Sequence, residues 1–198
     1  MAESIIDGRG TGSLAKVDGK GNLHTDSTVF SRGERASTEG EAFNINTGII
    51  KLTSANKSSV FYLKNNQDYP MVIDTFFYLI GNSTGGSGDM IISIIRNPTN
   101  GTIVSGAVDC EMHGVNRNFG SSNTIENSLI YKGAEANTIT NGVKFIESIF
   151  NQSPTRAAIG VGAIIIPKGS SISVEITPAT GNTDVDIQVG LSLYLELE

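Results

Sequence analysis

The sequence predicts an all-β protein: a β-sandwich of jelly-roll-like form, preceded by an extended N-terminal arm. Three observations carry that reading. The last fifteen residues alternate strictly, with Val185, Ile187, Val189, Leu191, Leu193, Leu195 and Leu197 on odd numbers and mostly polar residues between them. Side chains alternate across a strand with period two, so this is one long strand with an apolar and a polar face. Strand-like segments also recur roughly every ten to fifteen residues from Ala42 onward, as a sandwich or barrel requires. Finally, the composition has 23 glycines, no tryptophan and only 17% charged residues, below the usual ~25%. Glycine and short polar side chains suit a turn-rich β protein and make poor helices.

The first forty residues read differently from the rest. Asp7-Gly8-Arg9-Gly10-Thr11-Gly12-Ser13 is glycine-rich and polar. Ala15-Lys16-Val17 and Leu23-His24-Thr25 flank Asp18-Gly19-Lys20-Gly21-Asn22, the pattern of a small hairpin. Ser31 to Glu41 is charged and polar. An isolated hairpin is marginal in water. The segment is therefore either mobile or tied down on another surface, of this subunit or of a partner. Residues 1–40 are expected as an extended arm, an anchor in the second case, and residues 41–198 as the sandwich.

Strands are expected at roughly 43–52, 59–65, 70–80, 89–96, 102–113, 125–131, 143–150, 157–166, 171–177 and 184–197. Residues 123–131 could instead hold a short helical turn. Asn100-Gly101 and Asn141-Gly142 are hairpin signals. Gly81 to Gly88 reads as a flexible loop, and Pro167-Lys168-Gly169-Ser170 as a turn. Ile172, Val174 and Ile176 alternate with Ser173, Glu175 and Thr177, so two half-buried antiparallel strands close the chain around Pro178 to Thr183. The segment 71–80 is apolar on both faces: Met71, Ile73, Phe77 and Leu79 on one, Val72, Phe76, Tyr78 and Ile80 on the other. Such a strand needs cover on both sides, from a second sheet and from either a loop or a neighbouring subunit.

Charge and cysteine content narrow the function classes. A net charge of -6 and a pI near 4.9 argue against a broad grip on nucleic acid, which needs clustered Lys and Arg. No apolar run reaches the ~20 residues of a membrane helix, so no membrane partner is expected. The start, Met1 to Asp7, lacks the basic-then-apolar layout of a signal peptide. Cys110 is the only cysteine, which leaves no intrachain disulfide and no cysteine-cluster zinc site.

Candidate chemistry is sparse. Gly8-Arg9-Gly10-Thr11-Gly12 lacks the preceding strand and following helix of a phosphate-binding loop, and reads as linker. Asp109, Glu111 and His113 would share one face if 102–113 were a strand, over Val108, Cys110 and Met112. Two carboxylates and an imidazole at that spacing could bind a divalent metal. A solvated polar face over a buried Cys/Met face explains the same residues with nothing added and is the favoured reading, and no metal or other cofactor is assigned. Cys110, buried beside Glu111, would have a raised pKa, the opposite of an activated thiol. There are two histidines, His24 and His113, and no Gly-x-Ser-x-Gly elbow. No pair among the 20 acidic residues stands out by spacing for glycoside hydrolysis. Tyr69 and Tyr194 are the exposed aromatic candidates for stacking on a sugar. The Asn-x-Ser/Thr sequons at Asn56, Asn82, Asn100 and Asn151 are expected by chance in so Asn/Ser/Thr-rich a chain. No catalytic residue is assigned, and the protein is expected not to be an enzyme.

Asp7 to Asp18, continuing through Asn22-Leu23-His24-Thr25, resembles an N-terminal segment of virion structural proteins of tailed bacteriophages. Arg96 to Gly106 and the Ile166-Pro167-Lys168-Gly169-Ser170-Ser171 stretch are similar to the same group. The resemblance implies a non-enzymatic part of the particle: a capsid decoration or cement protein, or a head-fibre component. It further implies a virion location after synthesis in the host cytoplasm, a major capsid protein or other virion protein as partner, and a homo-oligomer, expected as a trimer. A carbohydrate- or receptor-binding sandwich of a head fibre or tail, using loops such as 81–88 and 114–124, is the rival reading. A glycan or peptidoglycan hydrolase is a third.

Overall fold

The computed structural model describes residues 31–106, 108–152 and 155–197, with backbone alone over 155–163. It also describes the backbone of three short strands near the N-terminus: β1 (Ile5–Ile6), β2 (Leu14–Val17) and β3 (Leu23–His24). The chain divides into two units, Met1–Ser31 and Arg32–Glu198. In the first, β2 pairs antiparallel with β1 and with β3, Lys16 opposite His24 and Val17 opposite Leu23. The expected glycine loop around 8–13 lies outside the described residues.

The second unit opens with a helix, α1 (Arg32–Glu39), and then runs through β4 (Ala42–Asn46), β5 (Ile50–Leu52), β6 (Ser58–Lys64), β7 (Met71–Ser87) and β8 (Asp89–Arg96). A one-turn helix α2 (Thr102–Ser105) precedes β9 (Val108–Asp109), β10 (Met112–Asn116) and β11 (Leu129–Lys132). The chain then closes with β12 (Val143–Asn151), β13 (Thr155–Ile166), β14 (Ser171–Thr177) and β15 (Thr180–Leu195). One antiparallel sheet has the order β10-β4-β15-β7-β13, with β5 also on β15; the other has β12-β8-β14-β6-β11-β9.

Eight of these strands define a jelly roll. In chain order β4, β6, β7, β8, β12, β13, β14 and β15 change sheet at every step except β8 to β12. That gives two facing four-stranded sheets, β4-β15-β7-β13 and β6-β14-β8-β12, the double Greek key of this architecture. The jelly-roll expectation therefore holds at the level of strand order.

The core sits between the sheets. From one side come Phe43, Ile45, Phe76, Tyr78, Val189, Leu191 and Leu193; from the other come Phe61, Leu63, Ile92, Ile94, Val174 and Ile176. Tyr78 meets Phe150 across the gap edge-on, with ring centroids 5.0 Å apart. The odd-numbered face of β15 points inward as expected; Leu197, beyond the strand, is exposed.

The structure corrects several local expectations. The two closing strands do not pair with each other: β14 and β15 lie in opposite sheets and press their apolar faces together across the core. The two-faced reading of 71–80 fails at Asp74. On β15, Leu193 pairs with Ile73 but the adjacent Ser192 pairs with Thr75, so β7 carries one extra residue there. Such a bulge reverses the alternation. Met71 and Ile73 before it, and Phe76, Tyr78 and Ile80 after it, all enter the core. On the outer face, Val72 packs with Ala36 of α1, Ala42 and Tyr194. Phe77 lies over Gly190, where a Cβ would stand 2.1 Å from the ring. The chain itself thus covers this face at Val72, Phe77 stays half-buried, and Tyr194 is buried rather than available to a sugar.

Gly81 to Ser87 is not a loop but the far end of β7, paired with the start of β15 through Ser87 and Thr180. The expected strand 43–52 is two strands, and 125–131 shrinks to β11. Neither Asn-Gly pair closes a hairpin of neighbouring strands: Asn100 bridges Thr140, and Gly101 stands just before α2.

The helix α1 was not foreseen in a stretch read as polar arm. It ends where Gly40 takes φ 77, with Gly40 N–H donating to Ser37 O and Glu41 N–H to Ala36 O (2.7 Å). Those two bonds are a Schellman stop, which needs the left-handed conformation that glycine adopts without strain. The sequence did hold a start signal, Ser31-x-x-Glu34, ahead of that glycine.

Candidate functional site

The three residues singled out for metal chemistry sit where the chain changes sheets. Segment 102–113 is not one strand. Thr102–Ser105 is helical, Asp109 pairs with Tyr131 in one sheet, and Met112 pairs with Asn46 in the other. The crossing is made at Cys110, whose side chain enters the core while its N–H donates to Ile130 O. A crossing strand loses its period-two face, so Asp109, Glu111 and His113 are not aligned.

Asp109 and His113 do come together, with His113 Nδ1 3.6 Å from Asp109 Oδ1. Glu111 points elsewhere: its carboxylate lies over Gly48 and reaches Lys132 Nζ at 3.9 Å. Gly48 has φ 68, and a Cβ there would stand 2.1 Å from the Glu111 carboxyl carbon. Among the described residues no three His, Cys, Asp or Glu side chains gather as metal ligands.

Burial pushes the Cys110 thiol up to about 12, and Lys132 only partly offsets that. The thiol is therefore protonated and shielded at neutral pH. We expect a thiol reagent at pH 8 to label Cys110 only after denaturation, as mass spectrometry with and without urea would show. The same shift has a pH consequence. Above about 9 the unfolded chain loses the thiol proton while the folded chain keeps it, so stability falls as pH rises from 9 to 12. The slope from this one group is at most about 1.4 kcal/mol per pH unit. Cys110→Ala should flatten that alkaline loss in urea titrations; an unchanged slope would mean that the thiol ionises freely in the folded protein.

Several of the polar residues that gave the composition its character bond to backbone carbonyls or to neighbouring side chains. Asn116 Nδ2 donates to Gly40 O (2.7 Å), Asn118 Nδ2 to Thr38 O (2.9 Å), and Asn123 Nδ2 to Glu41 Oε1 (2.7 Å). Loop 114–124, expected as a free recognition loop, is thereby laced to the end of α1. Phe119 at its tip is fully exposed. Buried Asn65 donates to the carbonyls of Tyr69 and Ile166, bracing the entry to β7 against the end of β13.

Among the described residues, the sandwich carries shallow concavities, two of which are large enough to note. One of about 260 Å³ lies beside Ile49, Leu79, Asn82, Asp186 and Gln188. Asp186 there is joined to Lys51, which also binds Asp184 at 3.0 Å. The other, about 450 Å³, runs between Phe145, Ile165 and Arg96 where the two sheets end. Neither brings together a nucleophile and a base.

Comparison with known proteins adds little. No protein-family model matches the sequence, and no curated protein matches it. Among solved structures, the chain is similar to that described as the 2.6 Å structure of Infectious Bursal Virus derived T=1 particles, at 8% identity and a TM-score of 0.17. The match covers 78% of this chain and 39% of the viral one, so the chain spans about two fifths of that protein's length. Among the described residues, no helix is long and apolar enough to cross a membrane.

Proposed function

We propose that this protein is a non-enzymatic structural component of a tailed-phage virion, an auxiliary capsid protein of the decoration or cement type. The observation that carries the reading is the resemblance of Asp7 to Thr25, with the 96–106 and 166–171 stretches, to virion structural proteins. The jelly roll is compatible with it, since viral capsid and lectin domains share this architecture; fold alone does not choose between them. The two-unit organisation also suits an anchor with a separate body. Residues 1–31 bind the shell or a neighbouring subunit, and the sandwich forms the exposed body. Presentation of several anchors by one oligomer would raise avidity without any new contact. The homo-oligomer, expected as a trimer, is retained as part of this reading; on the outer face of β7 the chain covers Val72, while Phe77 and Leu79 stay half-buried.

Co-sedimentation with heads lacking this protein tests the role. The truncated chain begins at Arg32, because α1 packs on the sandwich. The full chain should pellet with heads and the truncated one should stay in the supernatant. Binding by both would move the contact to the sandwich, and binding by neither would overturn the capsid role.

A further inference from the structure

Strand β12 is the last strand of its sheet, and its outward backbone edge has no partner among the described residues. It runs nine residues without proline and leaves Val143, Phe145 and Ile149 at 60%, 52% and 61% exposure. Ile165, across the groove from Phe145, is 53% exposed. Unpaired N–H and C=O groups beside apolar side chains form a template for another strand. The outer strands at the opposite end of the sandwich offer far less: β9 has two residues and β10 has five.

The charges on β12 say which strand fits. Lys144 stands opposite Ile95 and Glu147 opposite Ser93, with Phe145 as the extra residue of a bulge between them. Two residues apart on β8 means one face, so Lys144 and Glu147 point to the same side, where they form an ion pair. A lysine alone on an edge repels a second copy. A lysine and a glutamate two ladder positions apart do the reverse when the second copy runs antiparallel.

We propose that a second copy of this chain pairs on this edge, β12 antiparallel to β12, about a two-fold axis through the Phe145 bulge. Lys144 then faces the partner's Glu147, and Glu147 faces the partner's Lys144. Opposite charges directly across a strand pair stabilise it, and like charges destabilise it. The ladder position at the axis is that of Ile146, with Phe145 beside it in the bulge. A two-fold interface demands a self-complementary surface, and this strand has one in its charges. The inference stands apart from the virion reading, since it needs only the strand edge.

The test uses the full chain and two charge reversals, Lys144→Glu and Glu147→Lys, in sedimentation velocity over a wide concentration range. The wild type should form a dimer. Each variant alone should associate about tenfold more weakly, because two like-charge pairs then face each other. An equimolar mixture of the two variants should recover association, since position 144 of the Lys144→Glu copy then faces position 147 of the Glu147→Lys copy with the opposite charge. Recovery on mixing is not produced by a variant that simply unfolds, and matching thermal melts would confirm the fold. A wild type that stays monomeric throughout would overturn the proposal. So would variants that associate like wild type, or a mixture no better than its components.

Discussion

Leu191→Ala is expected to cost about 2–5 kcal/mol of stability, the usual range for a fully buried leucine reduced to alanine. Leu191 sits in the middle of β15, paired with Ile45 of β4 on one side and Phe76 of β7 on the other, and is fully buried. Its neighbours are held by two strand ladders, so they cannot collapse into the space left behind, and the cavity term adds to the lost transfer energy. Ile165→Ala removes comparable apolar bulk from a residue 53% exposed, and should cost less than about 1 kcal/mol. Urea denaturation of both variants compares them directly. Equal losses would mean that Leu191 is not enclosed as described.

Asn182→Ala should rank with it, at about 2–5 kcal/mol, through unmet hydrogen bonds rather than lost volume. The Asn182 side chain donates from Nδ2 to Leu52 O (3.0 Å) and Ser54 O (2.9 Å), and accepts from Gln152 Nε2 (2.7 Å) at Oδ1. Gln152 Oε1 in turn accepts from Ala179 N–H (2.6 Å). One buried amide pair thus joins the end of β5, the end of β12 and the turn into β15. Alanine leaves those partners without a replacement. Asn182→Asp keeps the acceptor but faces a carboxylate toward two carbonyl oxygens. That loss should be greatest at neutral pH and should ease on acidification, as the carboxyl gains a proton to donate. A pH-independent loss for Asn182→Asp would show that water reaches the site.

The alternation of Val185 to Leu195 by itself determined that β15 is a long strand, and which of its faces is buried. The glycine-rich, helix-poor composition determined the fold class, and strand number and spacing narrowed it to a sandwich or barrel; the jelly-roll order itself came from the sheet topology. These are local properties: period-two side-chain placement and turn chemistry depend on a residue and its immediate neighbours. The helix α1 was equally local, marked by Ser31-x-x-Glu34 and Gly40, but its polar face hid it; only Ala36 is buried. What tertiary structure alone decided was sheet membership and phase. The bulge at Asp74 reverses the alternation of β7, and no residue type at that position announces it. The crossing at Cys110 sends Asp109 to one sheet and Met112 to the other, which separates Glu111 from His113 and dissolves the candidate metal face. Both events are set by which backbone groups lie across the ladder, and those partners come from strands more than 20 residues away in sequence.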